Sequence, residues 1–152
     1  MGGDLPATSS GDAPAFFVTA LKDPIGANLD RIQIVKGWLD AGGTSHERIY
    51  DVAASDGRRP DPETRRMSPL ASTVDVGRAS YTNDVGAAAL QAVWRDPDFD
   101  PAQAAVYYAR VLEIATPRSS TYDAVSLGVD APEPATIQER AITSPIWYEA
   151  AS

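Results

Sequence analysis

Residues 104–118 carry apolar side chains on both alternating faces, the pattern of a β-strand that is covered on both sides. Between Ala104 and Ile114 most residues are small, branched or aromatic, and strands favour the branched and aromatic types. Arg110 is a charged residue that lies among the apolar residues of this run. Pro117 cannot donate a backbone hydrogen bond to a continuing ladder. We therefore predict a central strand that ends near Pro117.

Several other segments also have the pattern of a β-strand. Residues 29–36 separate Ile32 and Ile34 by polar residues, which indicates a strand with one buried face. The Gly-rich segment 40–44 follows, so residues 47–53 are predicted to pair antiparallel with the preceding strand. The other predicted strands are residues 15–21, 73–76, 90–94 and a final element at 136–142 and 145–148, which is one strand or two short ones.

Helix and loop signals are few. Asp100, Pro101 and Gln103 stand in the order of N-cap, first helical position and capping-box partner, which predicts one helical turn. Residues 120–128 predict a short helix that ends at its glycine. The segments outside these patterns are a charged, turn-rich surface loop at residues 55–72 and an extended lead-in or linker at residues 1–14.

Short strands separated by turn signals predict a mainly β chain. We expect an immunoglobulin-like antiparallel β-sandwich with one or two short helices and long loops. The chain has 152 residues, the length of one ordinary domain, and residues 15–152 are predicted to form it. Hydrophobic residues make up 43% of the chain, which is enough for a packed core and argues against disorder.

Composition excludes several kinds of function. With 13 basic and 21 acidic residues the net charge is −8, so we expect neither a nucleic-acid partner nor membrane insertion. The absence of cysteine excludes disulfides, a thiolate nucleophile and thiolate-bound metals. No apolar run approaches the ~18 residues of a membrane span, and residues 1–14 lack the features of a signal peptide. We therefore expect a soluble protein whose compartment these features do not determine.

Asp96, Asp98 and Asp100 occupy alternate positions, as the first ligands of an EF-hand calcium loop do. The rest of that loop is missing, because Pro101 stands where glycine is needed and Tyr107 where the distal glutamate should be. A turn that caps the next element explains the three carboxylates more simply. We therefore expect an acidic loop without a metal, and no cofactor in this chain.

A second polar cluster lies in and before the predicted loop and comprises Asp51, Asp56, Arg58 and Arg59. An arginine pair can hold a phosphate or carboxylate bidentately, although such a cluster is more often a solvated loop. Arg110 differs because it lies on an apolar strand face, where an unpaired charge is costly. We predict that it forms a structural ion pair with Asp51 or Glu139.

His46 is the only histidine, and one histidine without cysteines makes a poor zinc site. No Gly-x-Ser-x-Gly segment accompanies it to suggest a serine hydrolase. The aromatic residues are more typical of a core or an interface than of a ligand platform. The ones considered are Trp38, Trp94, Tyr107, Tyr108, Trp147 and Tyr148.

Ordered phrases that cover nearly the whole chain carry a family resemblance. Two of the longest are Trp94-Arg-Asp-Pro-Asp-Phe-Asp-Pro-Ala-Gln103 and Tyr107-Tyr-Ala-Arg-Val-Leu-Glu-Ile114. The others are residues 1–5, 20–24, 26–38, 50–53, 55–58, 116–118, 135–141 and 144–148. Together they resemble the C-terminal region of a bacterial family known only as domain of unknown function 3604.

Longer members of that family resemble the polymerase-and-histidinol-phosphatase class of metal-dependent hydrolases. That class has a His-x-His motif, binds divalent metals and typically hydrolyses phosphoesters. This chain has no His-x-His motif, so none of the metal ligands of that class can be transferred to residues here. The resemblance implies a bacterial protein, and it implies that any divalent metal belongs to a longer protein of which this chain is a fragment.

Three functions remain open from the sequence. The first is a non-catalytic C-terminal module that packs on the upstream catalytic domain of a metal-dependent hydrolase, or forms a homo-oligomer through exposed apolar surface. The second is a self-contained module that binds carbohydrate or protein through exposed aromatic residues. The third is a free-standing hydrolase that uses His46 with Asp51 or Asp56.

Overall fold

The structure is a computed structural model that describes residues 2–6 and 12–150. These residues form ten strands, one α-helix and one 3₁₀ turn. The strands are β1 (Gly3–Leu5), β2 (Ala15–Leu21), β3 (Leu29–Leu39), β4 (Ser45–Ala54), β5 (Ala89–Arg95), β6 (Ala105–Glu113), β7 (Thr116–Pro117), β8 (Thr136–Ile137), β9 (Arg140–Ile142) and β10 (Ile146–Tyr148). The helix α1 spans Ser119–Leu127, and the 3₁₀ turn spans Val76–Arg78.

The main sheet has the strand order β1-β10-β6-β3-β4, and β9 pairs with β6 beside β10. All its pairs are antiparallel except β1 with β10. A second sheet, formed by β2 and β5, covers one face of the main sheet, and β7 pairs with β8. The predicted mainly β sandwich is confirmed.

Strand β6 is the centre of the main sheet, as predicted, because it pairs with β3 on one side and with β10 and β9 on the other. Strand β3 pairs antiparallel with β4 across the Gly-rich turn, which confirms the predicted hairpin. The prediction that only one face of β3 is buried is wrong, since Gln33 and Val35, which lie on the face opposite Ile32 and Ile34, are buried as well. Polar residues in this strand are therefore internal and need internal partners.

The core lies between the two sheets. Phe16 of β2 packs on Tyr107 of β6 with 4.8 Å between ring centroids, and Trp94 of β5 packs on Tyr50 of β4 at the same separation. Aromatic pairs at such distances stabilise a core beyond the area that they bury. The aliphatic part of the core contains Leu29, Ile32, Ile34 and Leu90.

Three predicted elements differ from the structure. The final element, predicted as one strand or two short ones, forms the three strands β8, β9 and β10. Residues 73–76 are not a strand, because Asp75 forms a single bridge to Ser80 and its carboxylate accepts a hydrogen bond from the Arg78 backbone at the 3₁₀ turn. Residues 100–103 form a hydrogen-bonded turn instead of a helical turn, since strand β6 begins at Ala105 and leaves no room for a helix. Helix α1 agrees with the helix predicted at 120–128.

The predicted lead-in contains a strand. Gly3–Leu5 adds to the edge of the main sheet beside β10, and Leu5 packs against the core. An edge strand of this kind needs only backbone hydrogen bonds, so the pattern of its side chains does not predict it. The rest of the predicted lead-in lies partly outside the described residues, as do the last two residues of the predicted domain. Among the described residues, no helix is long and apolar enough to cross a membrane.

Candidate functional site

Three polar side chains form a row across the middle of the main sheet. Gln33 of β3 lies opposite Asp51 of β4 and opposite Arg110 of β6. Its amide donates to Asp51 Oδ1 over 2.6 Å, and Arg110 Nε donates to Gln33 Oε1 over 2.8 Å. The prediction of an ion pair between Arg110 and Asp51 or Glu139 is therefore wrong in the described part of the chain. Strand β3 separates β4 from β6, so Asp51 and Arg110 lie on strands about 10 Å apart. Gln33, on the strand between them, therefore bridges the two side chains.

Asp30, which is fully buried where β3 begins, is a second polar centre. Its carboxylate accepts hydrogen bonds from Arg31, from Arg58 and, over 3.0 Å, from Gln138 Nε2. Arg58 also donates to the backbone carbonyl of Asp30 over 2.8 Å and to that of Ser68 over 2.9 Å. Arg58 therefore ties the long loop to the sheet and has a structural role.

The other members of the predicted Asp51–Arg59 cluster lie apart from this centre. Asp56 Oδ2 accepts a hydrogen bond from the Gly86 backbone over 2.9 Å. The hydrogen bonds from Ser55 and from the Gly86 backbone hold the pKa of Asp56 below its ordinary value. Arg59 is exposed. The five residues singled out by sequence, Asp51, Asp56, Arg58, Arg59 and Arg110, thus do not form one site.

The loop at 55–72 forms a wall of the molecule. The Asp51 backbone donates to the carbonyl of Arg65 over 3.2 Å, and the Met67 backbone donates to Asp51 Oδ2 over 2.5 Å. These hydrogen bonds hold the loop against β4. A cleft of about 710 Å³ results between the loop, the start of β3 and residues 136–140.

Charged residues that sequence reasoning missed line this cleft. They are Arg31, Arg66 and Arg140, together with Asp30. These residues come from three separate segments, so no local spacing could have indicated the group. The available signal was weaker: a strand with Asp30 and Gln33 among its apolar residues, paired on both sides, must hold polar groups inside the fold.

The first carboxylate of the acidic loop, Asp96, is part of a buried ion pair. Its Oδ2 lies 2.6 Å from Lys36 Nζ, and the two side chains are 0% and 4% exposed. Tyr107 donates its hydroxyl hydrogen to the same oxygen over 2.8 Å. Burial, followed by the bond to Asp96, raises the pKa of Tyr107 far above its ordinary value. The pair therefore anchors the loop on the sheet.

Asp98 and Asp100 also have structural partners. Asp98 accepts hydrogen bonds from Tyr50 over 2.7 Å, from Arg48 over 2.8 Å and from Arg65. Asp100 Oδ1 accepts one from the Ala102 backbone over 2.9 Å, as a turn residue does. In the two described ranges, no group of three or more His, Cys, Asp or Glu side chains is arranged to hold a metal ion.

Asp98 makes stability depend on pH. Burial alone would raise the pKa of Asp98, but the hydrogen bonds from Tyr50, Arg65 and Arg48 outweigh burial and lower it from 3.8 to about 2. A carboxylate with a lowered folded-state pKa stabilises the fold above its unfolded pKa, and this contribution is lost as pH falls through the folded pKa.

We therefore expect wild type to exceed Asp98→Asn in stability by about 1 kcal/mol at pH 6, after allowance for solvent screening of a partly exposed side chain. The difference should shrink between pH 4 and about pH 2, the range set by the two pKa values. Urea unfolding of both proteins across this range measures it. A difference that stays constant down to pH 2 would contradict the assignment.

His46 lies at the opposite end of β4 from the residues proposed as its partners. Its Nε2 is 2.8 Å from Asp40 Oδ2, and its ring stacks on Trp38 with centroids 5.3 Å apart. Asp51 is about 17 Å further along the strand and points to the other face. The predicted pairing of His46 with Asp51 or Asp56 is therefore wrong.

The three tryptophans have different environments. Trp94 packs within the core against Phe16 and Tyr50. Trp147 is 53% exposed and, with Trp38, lines a second cleft of about 440 Å³. Polar residues at this cleft are Asp4, Ser45, His46 and Glu149.

The outer face of the β2–β5 sheet exposes three large apolar side chains beside Thr19, Gln91 and Arg95. Phe17, Leu21 and Val93 are 68%, 80% and 75% exposed. Phe17 and Val93 lie directly opposite each other in the pairing of the two strands, so their side chains are neighbours. Large contiguous apolar surfaces on a soluble domain mark sites of protein contact.

Comparison with known proteins identifies a family. No curated protein matches the chain, and no solved structure does. A family model described as "Protein of unknown function (DUF3604)" matches residues 1–150, which is essentially the whole chain. The chain therefore belongs to the DUF3604 family.

Proposed function

We propose that the chain is a non-catalytic β-sandwich module of a larger, metal-dependent hydrolase and that it packs on the catalytic domain of that protein. The observation that supports this function is the exposure of Phe17, Leu21 and Val93 on the outer face of the β2–β5 sheet. Its proposed occupant is the catalytic domain, because longer members of the family resemble metal-dependent hydrolases.

The arrangement of acidic residues supports a non-catalytic role. Asp96 is neutralised by Lys36, and Asp98 by Arg48 and Arg65. A catalytic carboxylate needs a free face toward a substrate or a metal. Cationic and hydroxyl donors occupy Asp96 and Asp98 instead, and Asp100 accepts a hydrogen bond from a backbone N–H.

The proposal predicts that the chain binds the separately expressed catalytic region of a longer DUF3604 protein. A Phe17→Asp, Val93→Asp double variant should weaken this association at least tenfold, because burial of a carboxylate without a partner is costly. Isothermal titration calorimetry measures the affinity. Ile25→Asp is the matched control, since Ile25 is 93% exposed but lies in the turn after β2.

Three outcomes would contradict the proposal. The first is equal affinity of wild type and the double variant for the catalytic region. The second is self-association of the chain that the double variant abolishes, because the face would then serve a homo-oligomer. The third is hydrolysis of p-nitrophenyl phosphate by the purified chain with stoichiometric zinc or manganese, which would make the module itself catalytic.

A second candidate function is carbohydrate binding at the cleft that Trp38 and Trp147 line. An exposed indole beside Asp4 and Glu149 offers a stacking surface with hydrogen-bond acceptors at its rim. A change in tryptophan fluorescence on addition of soluble oligosaccharides, absent in Trp147→Ala, would favour this function over the first.

A further inference from the structure

The arginine-lined cleft has the size and the walls of a small-molecule site. Its volume of about 710 Å³ lies within the range of such sites, about 300–1,000 Å³. Met67 and Leu70 of the long loop and Ile137 of β8 contribute apolar surface to its walls. The cleft therefore has room for the apolar part of an organic ligand beside the charged residues that line it.

Each arginine that lines this cleft keeps unused hydrogen-bond donors, since a guanidinium has five N–H groups. Arg31 donates through Nη1 to Asp30, and its buried Nε lies 3.5 Å from Asp51 Oδ1 without a hydrogen bond in the described part of the chain. Arg66 Nε is 3.6 Å from Asp51 Oδ2, too far for a hydrogen bond. Arg140 is exposed at the rim and forms no ion pair with another described residue.

The two aspartates of the cleft, Asp30 and Asp51, already accept hydrogen bonds from other residues of the chain. Asp30 accepts from Arg58 and Gln138 as well as from Arg31. Asp51 accepts from the Gln33 amide over 2.6 Å and from the Met67 backbone over 2.5 Å. Their oxygens therefore do not saturate the arginines that face the cleft.

Positive charge is in excess here although the whole chain has a net charge of −8. Arg31, Arg66 and Arg140 line the cleft with only Asp30 and Asp51 as lining carboxylates. Behind the floor, Arg58 adds a further cation on Asp30, and Arg110 adds one through Gln33. The neighbouring acids Glu113 and Glu139 line a separate cavity of about 440 Å³ that shares Arg140.

We propose that this cleft binds a small organic anion through its carboxylate or phosphate group. Arg31 and Arg66 hold the oxyanion from the floor and the loop side, and Arg140 closes on it from β9. Arginine suits this role because its planar fork binds such groups bidentately and keeps its charge at all relevant pH values. The site is independent of the apolar face proposed for domain contact.

Three aromatic probes of similar size distinguish the chemistry: phenyl phosphate, benzoate and the neutral benzyl alcohol. We expect the chain to bind phenyl phosphate or benzoate and not benzyl alcohol, as followed by chemical-shift changes in two-dimensional NMR spectra. The amides of Arg31, Met67 and Gln138 should shift. Whichever oxyanion binds more tightly identifies the group for which the cleft is suited.

Arg66→Ala and Arg140→Ala test the residues, since both side chains are partly or fully exposed and their loss should leave the fold intact. Each change should weaken binding of the preferred probe about tenfold or more, as expected for a hydrogen bond to a charged group. Arg78→Ala is the matched control, because it removes an arginine whose side chain is 84% exposed and does not line the cleft.

The proposal fails if neither anionic probe shifts the cleft amides at 20 mM. It also fails if benzyl alcohol binds as well as the anions, which would indicate an apolar site. Equal weakening by Arg78→Ala would show that general surface charge attracts the probes. An unchanged affinity in both Arg66→Ala and Arg140→Ala would remove these arginines from the site.

Discussion

Asp96→Ala is expected to destabilise the fold by about 3–5 kcal/mol, because it leaves the ammonium group of Lys36 buried without its counter-ion. Lys36 Nζ would keep one acceptor, the carbonyl of Asp98 at 2.8 Å, and Tyr107 would lose the acceptor of its hydroxyl group. The loop that carries Asp96 would also lose its main attachment to β3 and β6. Urea unfolding, followed by tryptophan fluorescence, measures the loss.

The ion pair itself is isolated by a double-mutant cycle. Lys36→Met with Asp96→Ala should cost less than the sum of the two single changes by about 2 kcal/mol, since the second change no longer strands a charge. Asp130→Ala, a change at an exposed aspartate beyond α1, should alter stability by less than about 0.5 kcal/mol. Additive single effects would contradict a direct interaction between Lys36 and Asp96.

Gly86→Ala is expected to destabilise the fold by about 2–5 kcal/mol, the sum of overpacking and an unfavourable backbone conformation. Gly86 has φ +85°, and an added Cβ would lie 2.6 Å from Asn28 Cβ, 2.8 Å from Ile114 Cγ2 and 3.1 Å from the Leu29 carbonyl oxygen. Asn28 directly precedes β3 and Leu29 begins it, and Leu29 pairs with Glu113 on one side and with Ala87 on the other. The backbone therefore has little freedom to relax.

Gly43→Ala separates the two contributions. Gly43 has φ +79°, but no atom lies within 4 Å of an added Cβ, so only the backbone cost of about 1–2 kcal/mol remains. The excess loss in Gly86→Ala over Gly43→Ala in urea unfolding measures the packing term. Equal losses at the two positions would show that the start of β3 can move to make room.

The strands that sequence reasoning located best are those with a strong local pattern. Strand β6 has apolar residues on both faces, and β3 and β4 flank a Gly-rich turn, so each pattern predicts its element without reference to the rest of the chain. Gly3–Leu5 was missed because its pairing with β10 uses backbone groups that every residue has. The turn at Asp100 has the sequence of a helix start because both structures use the same capping residues.

The candidate sites were predicted less well from the sequence than the strands were. Residues chosen because they are neighbours in sequence, such as Asp56, Arg58 and Arg59, have separate surroundings in the fold. Side chains of adjacent residues in a strand point to opposite faces. Adjacent residues in a loop can contact different parts of the fold. Sequence proximity was therefore a poor guide to spatial proximity.

The β class, the central strand, most other strands, the helix and the family could be predicted from the sequence. These follow from local periodicity, turn residues and long ordered phrases, which are properties of neighbouring residues. Which polar and charged side chains meet became clear from the fold alone. These are Asp51, Gln33 and Arg110 across three strands, Lys36 with Asp96, and the arginines of the cleft. The reason is physical, because strand register and the path of the 55–72 loop bring together residues that are far apart in the chain.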